Sequence, residues 1–117
     1  MMQNNPQGRR SLRLIPTVPV VVRLDSSDLP MELYDLSLGG FAVLAERPFA
    51  PGMTHRFTFE VPSEGLTVTI VAKAVHGRAS TKPETLRFVT GWEFMFARTD
   101  ADRAAIALLF ETATRAT

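Results

Sequence analysis

Cysteine is absent from the 117 residues, which excludes a disulfide scaffold, a thiolate zinc site and a cysteine nucleophile. Histidine occurs twice, at His55 and His76. Neither has a carboxylate at metal or catalytic spacing, so no metal triad is legible and both read as structural or surface residues. Ser37 lies in no G-x-S-x-G elbow, and Gly39-Gly40 leads into neither Lys-Ser nor a helix start, so nucleophilic and phosphate-loop chemistry lack a motif. The chain is therefore expected not to be an enzyme and to need no metal or cofactor. Long apolar runs are lacking too. The best candidate, residues 17–22, is interrupted by Pro19 and falls far short of the roughly 20 residues that span a bilayer. Asn4, Asn5, Pro6 and Gln7 stand where a signal peptide would be apolar. No membrane span is expected, and the cytoplasm is the expected compartment.

What is present suffices for one domain: 45% of residues are hydrophobic, eight of them Phe, enough to build a core at this length. Net charge is only +1, which argues against a protein that coats nucleic acid. Its distribution is uneven. Residues 1–24 hold four arginines and no acid, whereas residues 25–117 hold nine basic and twelve acidic side chains. A basic arm that meets an anion and a plain solvated tail both fit that asymmetry.

Residues 1–8 are polar and read as a flexible lead, with a single domain over residues 9–114. Within that domain, period-two alternation predicts a strand over residues 17–24, Pro16 and Pro19 keeping its start near a sheet edge. Short apolar pieces at residues 31–36 and 41–44, joined by Ser37-Leu38-Gly39-Gly40, predict two strands and a tight turn. Residues 56–61 alternate cleanly, with Phe57, Phe59 and Val61 inward. Pro62-Ser63-Glu64-Gly65 is a hairpin loop leading into a strand over residues 66–78. In that strand Val68 and Ile70 lie on one face and Val71 and Val75 on the other, so a β-bulge is expected. Residues 86–96 place Phe88, Trp92, Phe94 and Phe96 on one face. Only the end is helical: Thr99 and Asp102 stand at capping-box spacing, and Ile106, Leu109, Phe110 and Ala113 form one apolar face over about 14 residues. Six short strands and one helix predict a six-stranded antiparallel β-barrel with a C-terminal α-helix packed on it.

Two polar clusters stand apart from this pattern. In Arg9-Arg10-Ser11-Leu12-Arg13, Arg9 and Arg13 offer two planar forks of donors that can grip a phosphate, bond the O6 and N7 edge of a guanine, or stack on its ring. In Asp35-Leu36-Ser37-Leu38-Gly39-Gly40, the carboxylate of Asp35 complements the adjacent N1–H and N2–H donors of guanine. Ser37 can bond a ligand or its own backbone, and Gly40 permits positive φ or close approach of a ligand ring. Taken alone, Asp-x-Ser before Gly-Gly is also ordinary turn chemistry.

Together, in this order, the clusters resemble the two-part signature of the PilZ domain, a bacterial receptor module for cyclic di-GMP: RxxxR at Arg9 and Arg13, then [DN]xSxxG at Asp35, Ser37 and Gly40. Pro51-Gly52 before a Phe-rich strand, Gly91-Trp92-Glu93-Phe94 and the closing Asp102-Arg103 helix also look like that family, so the resemblance covers about residues 9–112. It implies that Arg9 and Arg13 grip guanine and phosphate with help from Arg10, and that Asp35, Ser37, Gly39 and Gly40 line the guanine pocket. Gly8 precedes the first arginine, a neighbourhood that influences whether the family takes one ligand or a stacked pair. With no output domain visible, the chain resembles the stand-alone members, which act on an effector protein in motility, pilus or exopolysaccharide control. The alternative is a ligand-independent protein-interaction adaptor on the same barrel. No DNA or RNA partner is expected, since the Phe and Trp side chains alternate inward instead of forming a stacking surface.

Overall fold

Six strands roll up so that the faces carrying most of their large apolar residues meet. The computed structural model describes residues 13–27, 29–79, 88–95 and 100–115. Strands β1 (Val21–Leu24), β2 (Met31–Leu36), β3 (Gly40–Ala45), β4 (Thr54–Val61), β5 (Leu66–Ala79) and β6 (Phe88–Phe94) are followed by helix α1 (Asp100–Ala113). All pairings are antiparallel, in the order β1-β4-β5-β6-β3-β2. The edges β1 and β2 come together without a ladder, so the barrel is nearly closed. The six-stranded antiparallel barrel with one C-terminal helix is thus the observed fold.

Phe41 sits at the middle of the core. The rings of Phe57 and Phe59 meet it edge-on at 5.0 and 4.9 Å, and Trp92 lies parallel to it at 6.2 Å, arrangements favoured by the aromatic quadrupole. Ile106, Leu109 and Ala113 of α1 complete the same cluster, in agreement with the face expected from their spacing. Thr99 and Phe96 lie outside the described residues. At the far end of the helix, Thr17 N–H donates to the Ala113 carbonyl at 2.8 Å and its hydroxyl to the Arg115 carbonyl at 2.7 Å. Carbonyls that no helical N–H reaches are thereby satisfied.

Those bonds explain one difference from the expected strands. Burial alternates without a break from Arg13 to Leu24, yet apart from an isolated bridge between Leu14 and Leu36 the strand ladder begins only at Val21. Pro16 and Pro19 have no N–H to give a ladder, and Thr17 is committed to the helix end. A second difference lies in β5. The expected bulge exists, as a register shift between Ala74 and His76, but it does not bring Val75 inside; that side chain is 47% exposed. The core row runs on through Val68, Ile70, Ala72 and Ala74, and the extra residue is accommodated on the outer face.

Among the described residues, no helix is long and apolar enough to cross a membrane, and no three metal-ligating side chains cluster.

Candidate functional site

Two bulges shape the outer face of the barrel. In β2 the register shifts between Leu33 and Asp35, with Tyr34 as the extra residue; in β5 it shifts at Val75. Side chains alternate across a strand, so without these insertions Asp35 would face inward with Leu33, and His76 inward with Ala74. Each bulge turns the next side chain outward, a recurrent use of this device. The result is one straight row across four strands: Asp35 opposite Ala42, Ala42 opposite Gly91, and Gly91 opposite His76. Three strand spacings, about 14 Å, separate the two ends of the row. Its middle is a floor with almost no side chain.

Arg13 reaches the Asp35 end. Its Nη1 donates to Asp35 Oδ1 at 2.6 Å, with the two side chains 40% and 20% exposed. The backbone fixes this encounter: Leu14 and Leu36 exchange two N–H to carbonyl bonds, both 2.9 Å. Arg13 therefore enters the site from a docked segment rather than a free tail. Arg9 and Arg10 lie outside the described residues.

The turn between β2 and β3 is tied by Ser37. Its N–H donates to the Gly40 carbonyl at 2.8 Å, and its hydroxyl donates to the same carbonyl at 3.2 Å. The hydroxyl oxygen accepts from Gly39 N–H at 3.2 Å and Gly40 N–H at 3.1 Å. With only 3% of Ser37 exposed, the residue shapes the loop from beneath. Gly40 is required by close approach: a Cβ there would come within 2.1 Å of the Trp92 carbonyl oxygen. It is the neighbouring backbone, not a positive φ, that demands glycine. Gly39 has open space around it, and its carbonyl accepts from Phe94 N–H at 3.0 Å.

Two cavities open on this face. One, of about 260 Å³, is lined by Arg13, Tyr34, Asp35, Ala42, His76, Val89 and Gly91. The other, of about 190 Å³, is lined by Arg13, Gly39, Val75, His76, Gly91, Trp92 and Glu93. Larger cavities of about 440 and 500 Å³ lie along β1, the start of β2 and the segment before Phe49, and share none of the expected site residues. Of the residues singled out in the sequence, the structure brings Arg13, Asp35 and Gly39 to these two cavities, with Ser37 and Gly40 in the turn that supports them. No motif in the sequence assigns His76, Ala42 or Gly91 to these cavities: His76 reads there as a structural or surface residue, and Gly91 only as part of Gly91-Trp92-Glu93-Phe94. The broken alternation after Ala74 was the available signal for His76, because it implied that a side chain changes face.

The fold has counterparts among solved structures. The chain is similar to the PilZ domain of Escherichia coli YcgR determined with c-di-GMP, at 21% identity and a TM-score of 0.67 over 92% of each chain. It is also similar to the K. pneumonia MrkH–c-di-GMP complex, at 18% identity and a TM-score of 0.71 over 91% of this chain and 52% of that one. A third likeness is to the Bacillus subtilis inhibitor of motility MotI/DgrA, at 18% identity and a TM-score of 0.64 over 88% of this chain and 49% of that one. The chain thus spans about half the length of MrkH and MotI/DgrA. No curated protein matches it in sequence. The PilZ domain family model matches residues 7–111, and with the barrel, the turn and Arg13 in place, the chain belongs to the PilZ domain family.

Proposed function

We propose that this chain is a cyclic di-GMP receptor that alters the behaviour of an effector protein when the ligand binds. The observation that carries the reading is the placement of Arg13 and Asp35 at one end of a row whose centre is Ala42 and Gly91. A planar base needs a floor without protruding side chains, a carboxylate pairs with guanine's adjacent N–H donors, and a guanidinium grips phosphate bidentately. All three requirements are met within one cavity. Family membership and the c-di-GMP in the YcgR and MrkH structures support the same ligand.

In this reading Arg9, Arg10 and Arg13 hold phosphate and guanine, Asp35 selects guanine, and Ser37, Gly39 and Gly40 form the loop beside it. Asp35 Oδ1 already accepts from Arg13, which leaves Oδ2 for a base; a phosphate that draws Arg13 away frees the other oxygen. The binding domain is residues 9–114, preceded by a lead over residues 1–8. The protein works in the cytoplasm, catalyses no reaction and uses no metal or cofactor, and its output falls in motility, pilus or exopolysaccharide control. MotI/DgrA, an inhibitor of motility by its name, is consistent with that role.

Isothermal titration calorimetry with cyclic di-GMP, cyclic di-AMP and GTP tests the reading. Saturable binding of cyclic di-GMP, with weaker or no binding of the other two, is the expected result. Absence of binding by folded protein would instead favour the ligand-independent adaptor.

A further inference from the structure

One wall of the site is supplied by neither half of the family signature. His76 closes the end of the row opposite Asp35 and lines both cavities together with Arg13. Its ring lies over Gly91 so closely that a Cβ there would come within 2.9 Å of Cε1 and 3.0 Å of Nε2. The bulge at Val75 is what turns this side chain outward. The charged and titratable groups that share the two cavities with it are Arg13 from the N-terminal segment, Tyr34 and Asp35 from β2, and Glu93 from β6. Arg13 is engaged by Asp35. Lys73, on the same strand as His76, stands opposite Glu93. The remaining lining near the ring is Ala42, Val75, Val89 and Gly91, which carry no charge.

Resting on the cyclic di-GMP reading above, we propose that His76 contacts the ligand, and that its imidazolium form donates to a phosphate oxygen or to the O6 and N7 acceptors of guanine, so that binding takes up a proton. Imidazole is the side chain whose charge changes between about pH 5 and 8. A dianionic ligand beside it favours the charged form. By reciprocity, the proton then favours the ligand by the same factor. The bound protein holds the proton more tightly than the free protein. Affinity is therefore highest on the acid side, falls as pH rises through the imidazole range, and levels off above it. Arginine keeps its charge across that range. Because His76 is exposed, the effect belongs to the scale of solvent-screened pairs, about fivefold in affinity.

The experiment is calorimetry of cyclic di-GMP with the full chain at pH 6, 7 and 8, at fixed ionic strength and in two buffers of different ionisation heat. The wild type is expected to lose about fivefold in affinity from pH 6 to pH 8 and to show net proton uptake. His76→Gln, which keeps a hydrogen-bonding group without the titrating charge, is expected to give a flat profile near the weaker value. A flat wild-type profile, or a slope that survives in His76→Gln, would overturn the inference and leave the receptor reading intact. Absence of binding at every pH would remove that reading, and this inference with it. If His76→Gln does not fold, the wild-type imidazole proton resonances decide, since the chain has only two histidines. The His76 titration must move to higher pH at saturating ligand, and an unmoved titration refutes the proposal.

Discussion

Strands β3 and β6 have opposite characters on their two faces. Inward they present Phe41, Val43, Trp92 and Phe94, all buried in the core cluster; outward they present the small Ala42 and Gly91 in the row, with Leu44 and Val89 beside them closing a second, smaller apolar cluster. The same four residues, Phe41-Ala42 and Gly91-Trp92, thus fill the barrel on one side and leave a shallow floor on the other. Bulk on the inner face holds the strands in register, and its lack on the outer face leaves room for a ligand. Substitutions on the two faces should therefore separate cleanly into losses of fold and losses of binding.

The largest effect is expected inside. Trp92→Ala removes a side chain that is 1% exposed and packs against Phe41, Phe49 and Phe57. About 3–5 kcal/mol of stability should be lost, as is usual for deleting a large buried aromatic. Urea unfolding followed by circular dichroism measures this, and a loss near zero would mean that the inner face is not the structural one.

Next come the charges at the rim. Arg13→Ala and Asp35→Ala should each cost about 1.5–3 kcal/mol in cyclic di-GMP affinity, the worth of a hydrogen bond to a charged group. Neither should change stability by more than about 1 kcal/mol, because their ion pair is partly exposed and screened. Asp35→Ala should also lose preference for guanine over adenine ligands. Binding by the wild type should weaken with salt. Full affinity in either variant would sever this rim from the ligand and leave it with a purely structural ion pair.

The turn belongs to both faces. Ser37→Ala deprives the Gly39 and Gly40 N–H groups of their acceptor, and should lower stability by about 1 kcal/mol while weakening ligand binding through the loosened loop. Thermal unfolding and calorimetry on one variant separate the two consequences. Binding that weakens with no change in stability would assign the hydroxyl to the ligand instead of the turn.

The smallest effect on the fold is expected at the floor. In Gly91→Ala the three atoms nearest the new Cβ all belong to the ring of His76, a side chain that can move. Stability should change by only about 0.5 kcal/mol, while the displaced ring alters the cavity and lowers ligand affinity. A variant that binds like wild type would show that the floor and its imidazole wall are not used together.

The inner face could be read directly from the chain. Alternation at Phe57, Phe59 and Val61, and the i, i+3, i+4 spacing of Ile106, Leu109 and Phe110, depend on local geometry alone, because successive side chains on a strand or helix point in fixed directions. Both halves of the signature are contiguous segments and were legible for the same reason. The site as an assembled object was not. Whether Asp35 and His76 face solvent or core depends on two inserted residues, Tyr34 and Val75, whose effect appears only when each strand is paired with its neighbour. One residue of slip moves every side chain to the other face.

The sequence by itself determined the barrel, its helix and the identity of the arginine and aspartate clusters, because periodicity and residue chemistry are local properties. The tertiary structure alone decided that Arg13 docks on Asp35, that glycine at position 40 answers to the Trp92 carbonyl, and that His76 shares a row with Asp35 and a cavity with Arg13. Those facts depend on which strands lie side by side and in what register, and residues 41 positions apart such as Asp35 and His76 come to line one cavity only through the two strands that lie between them.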